Sequence, residues 1–238
     1  MFISFEGIDF SGKSTQVNLL KKYFLKKKKK VKIIREPGGT PISEKIREIL
    51  LDKKNNKMCI ETEIFLFSAS RAQLVREKIR TQLDKGIYVI TDRFHDSTTA
   101  YQGYGRGIPL DTVQHIHRLA IGNTVPDLTF FIDVSIEETE KRKSSQSSLN
   151  LDRIELSKRN FYSDVRKGYL TLAKKNKRIK VIDGHLSKEV IHKKIVEEID
   201  GRNRPILLKG ITGSGKTEIY LELIEKVISN NQGAIVLV

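Results

Sequence analysis

Phe2-Ile3-Ser4-Phe5, followed after one residue by Gly7-Ile8-Asp9-Phe10-Ser11-Gly12-Lys13-Ser14, decides how the chain is read. The first four residues form a short apolar strand. The next eight match G-x-x-x-x-G-K-[ST], and a helical pattern runs from about Lys13 to Leu25 behind them. Strand, glycine loop and helix in that order make a phosphate cradle. The glycines permit backbone angles and close approaches that side chains resist. Loop amides and the helix N-terminus then face phosphate oxygens. Lys13 supplies a positive charge to the β- and γ-phosphates, and the Ser14 hydroxyl can ligate Mg²⁺. Gly7, Ile8, Asp9, Phe10, Ser11, Gly12, Lys13 and Ser14, with Thr15 next in the helix, are the candidate ATP-binding set. The pattern specifies a nucleoside triphosphate and is silent about the acceptor.

Working outward, strand-like runs recur at Val31-Ile34, Ile87-Thr91, Leu128-Val134 and Ile179-Ile182. Helix-length segments separate them, among them a stretch through Arg71 to Leu83. Such alternation means βαβ units, and right-handed crossovers then give an α/β fold with a doubly wound, five-stranded parallel sheet. The turn-rich break Asp200-Gly201-Arg202-Asn203-Arg204-Pro205 suggests two domains, residues 1–200 and 201–238.

Composition narrows the possibilities. The chain has 238 residues, 38% hydrophobic and 31% charged, enough apolar material for a sizeable core. No apolar run approaches membrane-spanning length, and no basic leader with an apolar segment opens the chain, so neither a membrane partner nor a secretory signal is expected. One cysteine, Cys59, cannot form an intrachain disulfide, which points to a reducing cytoplasm. The net charge of +15 is concentrated in solvated-looking lysines, above all Lys26 to Lys30; we read it as surface composition and an affinity for anionic small substrates, not as a nucleic-acid groove. His115 and His117, two apart in a helical stretch, point to different faces and make a poor metal pair.

Further segments carry more specific information. They are Phe5-Glu6-Gly7-Ile8-Asp9, Arg35-Glu36-Pro37-Gly38-Gly39-Thr40, Leu66-Phe67-Ser68-Ala69-Ser70-Arg71-Ala72-Gln73, Asp92-Arg93-Phe94 with Ser97, and Ala100-Tyr101-Gln102-Gly103. Pro126-Asp127-Leu128-Thr129, Asp152-Arg153-Ile154-Glu155, Phe161-Tyr162 and Gly168-Tyr169 follow. In this order, over about residues 1 to 198, the chain resembles the bacterial thymidylate kinases. The resemblance implies a nucleoside monophosphate kinase fold of the phosphate-loop type, a homodimer, and transfer of the γ-phosphate of ATP to dTMP, giving dTDP on the route to dTTP. By resemblance, Asp9 accepts the 3′-hydroxyl of the deoxyribose, Phe67 stacks on thymine and Arg71 donates to a thymine carbonyl. Phe67 and Arg71 are four apart on a helix, so both can line one pocket. Tyr101 would pack under the sugar against a 2′-hydroxyl, with Ser97 and Gln102 as neighbours of the base. Arg93 would bridge the acceptor phosphate and the moving phosphoryl group, Asp92 would hold Mg²⁺ through water, and Arg35 would clamp the acceptor phosphate, a task suited to a guanidinium fork.

Phosphoryl transfer needs two anionic reactants held in line and their charge neutralised, which calls for a cationic lid. Lys141-Arg142-Lys143, the polar stretch Ser144 to Asn150, and Arg153 fit one, with Arg142 and Arg153 both candidates for the transition-state charge. Phe10 stands where many relatives have glycine, and the loop itself carries no arginine. A kinase of another monophosphate, such as dUMP, shares most of these features.

The tail holds a second full phosphate-loop match, Gly210-Ile211-Thr212-Gly213-Ser214-Gly215-Lys216-Thr217. It lies between a strand-like Ile206-Leu208 and a helical run from about Glu218 to Ser229, with a strand-like Ala234-Val238 after that. With Glu218 and Tyr220 it resembles the opening of the ATPase domain of the primosomal replication-restart helicase. A DNA-dependent ATPase fragment is therefore the alternative of a different class. One βαβ unit cannot bury its own apolar faces, so 201–238 is expected to be a truncated helicase-like fragment and not an independent ATPase.

Overall fold

The computed structural model describes residues 1–145, 152–155 and 159–202. The second phosphate-loop match, its flanking runs and most of the lid stretch Ser144 to Asn150 lie outside the described residues. By its contacts the chain divides into a unit of Met1–Glu198 and a unit of Ile199–Val238.

Five strands build the first unit: β1 (Phe2–Glu6), β2 (Val31–Arg35), β3 (Tyr88–Asp92), β4 (Leu128–Asp133) and β5 (Ile179–Asp183). All their pairings are parallel, in the order β2-β3-β1-β4-β5. Strands expected from apolar runs thus form, each within a residue or so of its expected bounds. The order reverses at β1, so the loop after β1 opens onto the crevice between its two neighbours, where ligands gather in sheets of this kind. Register places Phe5 and Arg35 beside Asp92, so the C-terminal ends of β1, β2 and β3 bring Glu6, Arg35 and Asp92 to one edge.

Helix α1 (Lys13–Lys26) buries Val17, Leu20 and Phe24, a 3–4 spacing that makes one apolar face. Helix α2 (Pro41–Leu51) starts on Thr40, whose side chain accepts from the Ser43 amide, with Pro41 at the first helical position. Helix α3 (Ile60–Leu74) passes through a π-helical turn, Val75–Ile79, into α4 (Arg80–Asp84), so the long helical stretch through Arg71 is real but interrupted. After β3 come α5 (His95–Thr98), a π-helical segment Thr99–Gly105, and α6 (Leu110–Ile121). Then follow α7 (Ile136–Ser144), α8 (Arg159–Lys175) and α9 (Lys188–Arg202). One core cluster gathers Phe2, Ile34, Leu74, Val89 and Phe94. Another gathers Ile8, Tyr101, Phe131, Val165 and Tyr169. Each such buried side chain contributes about 1.5–3 kcal/mol. Together they make a rigid platform under the crevice.

Candidate active site

The phosphate loop has the geometry its sequence implies. A side chain at Gly7 would place Cβ 2.7 Å from the Ile132 carbonyl oxygen, and Gly12 sits at φ 97°, so neither position suits another residue. No side chain caps α1 at Gly12, which leaves its first-turn amides open toward an anion. Lys13 is buried, donating to the Ile8 carbonyl at 2.8 Å. Burial first, and then Arg93, pull its ammonium down to about 8. Phe10 adopts φ 62°, the left-handed region that costs a non-glycine residue about 1–2 kcal/mol. This explains why glycine suits the position and shows that the phenylalanine is tolerated under strain. The Ser14 hydroxyl donates to Asp92 Oδ2 at 2.6 Å, bringing two oxygens from different elements to the mouth of the loop.

Arg93 lies at the centre. It too is left-handed, φ 70°, directly after β3. Its guanidinium donates to Asp9 Oδ1 at 2.5 Å, the Gly7 carbonyl at 2.8 Å and the Tyr101 hydroxyl at 3.1 Å. Burial works against ionisation of Asp9, but Arg93 and Lys13 outweigh it and hold the carboxyl below its usual range. Arg142 reaches the loop from α7, donating to the carbonyls of Phe10 (3.3 Å), Ser11 (3.4 Å) and Gly184 (2.8 Å) and pairing with Glu138. Arg153, the other lid candidate, does not line the cleft. Its Nη2 lies 2.7 Å from Glu63 and its Nε donates to the Leu50 carbonyl. Arg35 lines the cleft and pairs with Glu44 at 3.2 Å.

A cavity of about 570 Å³ joins these groups to the base-binding candidates Phe67, Arg71, Ser97, Tyr101 and Gln102, all of which line it, as do Thr15, Asp92 and Lys13. Phe67 and Arg71 share one face of α3 as their spacing predicts. Arg71 is 1% exposed, its Nε 2.5 Å from Glu36 and its Nη1 without a hydrogen-bond partner. Gln102 donates to Glu63 at 2.9 Å, and Glu63 also pairs with Arg106 and Arg153. Tyr101 and Gln102 both stand in the π-helical segment, where the wider i→i+5 turn re-aims side chains. His115 is exposed, whereas His117 is buried with its Nε2 2.9 Å from the Thr99 hydroxyl.

Sequence reasoning assigned no role to Glu6, Glu36, Arg47, Glu63 or Tyr169. Arg47 lines the cleft near Arg35 and donates to the Pro37 carbonyl at 2.8 Å. For Glu6 a signal existed: a carboxylate ends a short, mostly apolar strand. For the rest only folding brings the partners together.

The family model described as thymidylate kinase matches residues 5–195. That described as type III restriction enzyme, res subunit, matches residues 185–238. The chain is 49% identical over 208 residues to the thymidylate kinase of Chlorobaculum tepidum, covering 84% of this chain and 97% of the relative. It is 50% identical over 199 residues to that of Kosmotoga olearia, covering 83% and 94%. The crystal structure of thymidylate kinase from Ehrlichia chaffeensis superposes with a TM-score of 0.68 at 36% identity, over 84% of this chain and 98% of that one.

Proposed function

The chain belongs to the thymidylate kinase family and transfers the γ-phosphate of ATP to dTMP, and we propose that it does so in the cleft between the phosphate loop and α3. The observation that carries this is Arg93. Its guanidinium sits within hydrogen-bond reach of the loop carbonyl of Gly7 and of Asp9, in the same cavity as Phe67 and Arg71.

ATP lies along the loop, its phosphates on the open amides of α1 and on Lys13. dTMP lies against Phe67, with the free Nη1 of Arg71 offered to a base carbonyl and Asp9 to the sugar. Arg35 and Arg47 take its phosphate. Arg93 spans the two anions, and Arg142 covers the donor side. The Ser14 and Asp92 oxygens suit a hard cation that keeps several waters and completes its shell with phosphates, so they would hold Mg²⁺, which neutralises phosphate charge when bound. The single cysteine, Cys59, exposed and unpaired, supports a cytoplasmic setting. Among the described residues no helix is long and apolar enough to cross a membrane. Residues 201–238 belong to a second phosphate-loop segment, a reading supported by the match over 185–238 and by Gly210 to Thr217.

The test is ATP consumption by the full chain with dTMP, dUMP, dCMP and AMP as acceptors, and with single-stranded DNA in a parallel series. Turnover is expected to need dTMP, to ignore DNA and to vanish in Lys13→Ala. Hydrolysis that needs DNA and survives Lys13→Ala would transfer the activity to the second loop.

The homodimer is proposed on α2, α3 and α6, which pack in adjacent positions. They expose Ile42 and Ile49, Phe65 (60%) and Leu119 (80%), apolar side chains that a second copy of the chain would cover. Phe65→Glu combined with Leu119→Glu is expected to halve the mass seen by sedimentation equilibrium. An unchanged mass removes this face from consideration.

A further inference from the structure

Glu6 ends β1 fully buried, beneath the cleft and outside its lining. Its Oε1 accepts from the Ser4 hydroxyl at 2.8 Å and from the Phe94 amide at 2.7 Å. Its Oε2 accepts from the Ser97 hydroxyl at 2.5 Å and from the Tyr169 hydroxyl at 3.1 Å. Four donors thus converge on one buried carboxylate. Every one of those contacts except Ser4 leads to one residue. The Phe94 amide belongs to the peptide that follows Arg93, and the Arg93 amide itself donates to the Phe5 carbonyl at 2.9 Å, next to Glu6. Ser97 and Tyr169, 2.8 Å apart, are both touched by Arg93 Nη1, at 3.3 and 3.5 Å.

Arg93 needs such support. A left-handed arginine is strained, and it persists only where its surroundings over-determine it. We propose that Glu6 is a positioning residue for phosphoryl transfer: it holds the backbone after Arg93 through the Phe94 amide, and the guanidinium through Ser97 and Tyr169, so that the cation is already aimed when the two substrates arrive. The inference rests on the reading of Arg93 as the bridging cation. Preorganisation of this kind matters because a misplacement of about 1 Å in a group acting on the reacting atoms costs on the order of a hundredfold in rate.

The charge of Glu6 is part of the device. It is faced by Arg93 after β3, Lys13 on α1, Asp96 on α5, Tyr101 in the π-helical segment and Tyr169 on α8. Burial, reinforced by Asp96, pushes its carboxyl up to about 7, with Ser97, Ser4 and Arg93 opposing. Protonation would remove the negative charge beneath Arg93 and turn one of the donated hydrogen bonds around. Glu6→Gln makes that state permanent, because the amide presents one acceptor where the carboxylate presents two.

The experiment is kcat at saturating ATP and dTMP, pH 5.5 to 9, for the wild-type chain, Glu6→Gln, Tyr169→Phe and Arg93→Ala, with a melting curve for each. Wild type is expected to lose kcat on an acid limb near pH 7. Glu6→Gln is expected to be about 10- to 100-fold slower at high pH, to lack that limb and to keep the KM for ATP within about twofold. Tyr169→Phe deletes only the hydroxyl. It should fall several-fold in kcat while melting cooperatively, which keeps the inference testable if Glu6→Gln does not fold. Wild-type kcat and an unchanged acid limb in Glu6→Gln, beside an inactive Arg93→Ala, would overturn the role of Glu6 alone. An Arg93→Ala enzyme with wild-type kcat would instead overturn the reading on which it rests.

Discussion

Arg93→Ala is expected to lower kcat by about a thousandfold to a hundred-thousandfold, the range an arginine supplies to a phosphoryl transition state. The reason is local. In the proposed arrangement Lys13 and the loop amides address the donor phosphates, and Arg35 and Arg47 take the acceptor phosphate. The Arg93 guanidinium, pinned by Asp9 and the Gly7 carbonyl, lines the same cavity and in that arrangement bridges the two phosphates. Removing it leaves the moving group, with charge spread over its oxygens, facing Asp9 without its counter-charge. Arg93→Lys should recover only part of the loss, since a point charge on a flexible stem cannot span Gly7 and Asp9 together. Steady-state kinetics with both substrates saturating, beside a melting curve, checks this. A kcat within tenfold of wild type in Arg93→Ala would remove Arg93 from the centre of the mechanism.

Glu36→Ala is expected to cost about 3–5 kcal/mol of stability, the penalty for stranding one member of a buried ion pair. For a unit of this size that corresponds to a fall in Tm of roughly 10 °C. Glu36 and Arg71 are each 1% exposed at the side chain, 2.5 Å apart. The pair is not a gain in itself: burial pushes the Glu36 carboxyl up to about 7 despite Arg71, so desolvation outweighs attraction. The asymmetry lies in what each partner can do alone. A carboxyl can escape its cost by taking up a proton, whereas a guanidinium cannot give one up. Deleting Glu36 therefore leaves Arg71 charged and buried, with the Phe94 carbonyl 3.4 Å away as its remaining acceptor. Because Arg71 also lines the cleft and is the proposed donor to the base, KM for dTMP should rise together with the loss of stability. Glu36→Gln keeps an acceptor and should cost about 1–2 kcal/mol. Thermal melts and dTMP titrations of the two variants separate these terms; equal Tm values for wild type and Glu36→Ala would show that Arg71 is satisfied elsewhere.

The fold was legible because it is written in local chemistry. Apolar runs of strand length, separated by helical segments, fall where β1 to β5 lie, since a strand buried on both faces must be continuously apolar. The phosphate loop was legible for a similar reason: its glycines are demanded by backbone angles and by the nearness of the Ile132 carbonyl. The family resemblance singled out Phe67 and Arg71, and the helical period put them on one face of α3. The partners were not legible. Nothing in the spacing of Glu36 and Arg71 (35 positions), or of Glu6 with Ser97 and Tyr169 (91 and 163 positions), announces an ion pair or a hydrogen bond. The two lid arginines could not be told apart either, because what separates them is that Glu63 and the Leu50 carbonyl occupy Arg153 while Arg142 reaches the loop.

By itself, the sequence determined a doubly wound parallel sheet and a nucleotide loop at its first turn, because each follows from the period or the backbone angles of a few neighbouring residues, while the candidate substrate contacts came from the family resemblance. Only the tertiary structure decided how those residues are held: the left-handed turn at Arg93, the buried acids Glu6 and Glu36 behind the cations, and the sharing of Glu63 between Gln102, Arg106 and Arg153. The physical reason is that a buried charge must find its partners in space, and those partners come from whichever distant segments the packed sheet brings within about 3 Å.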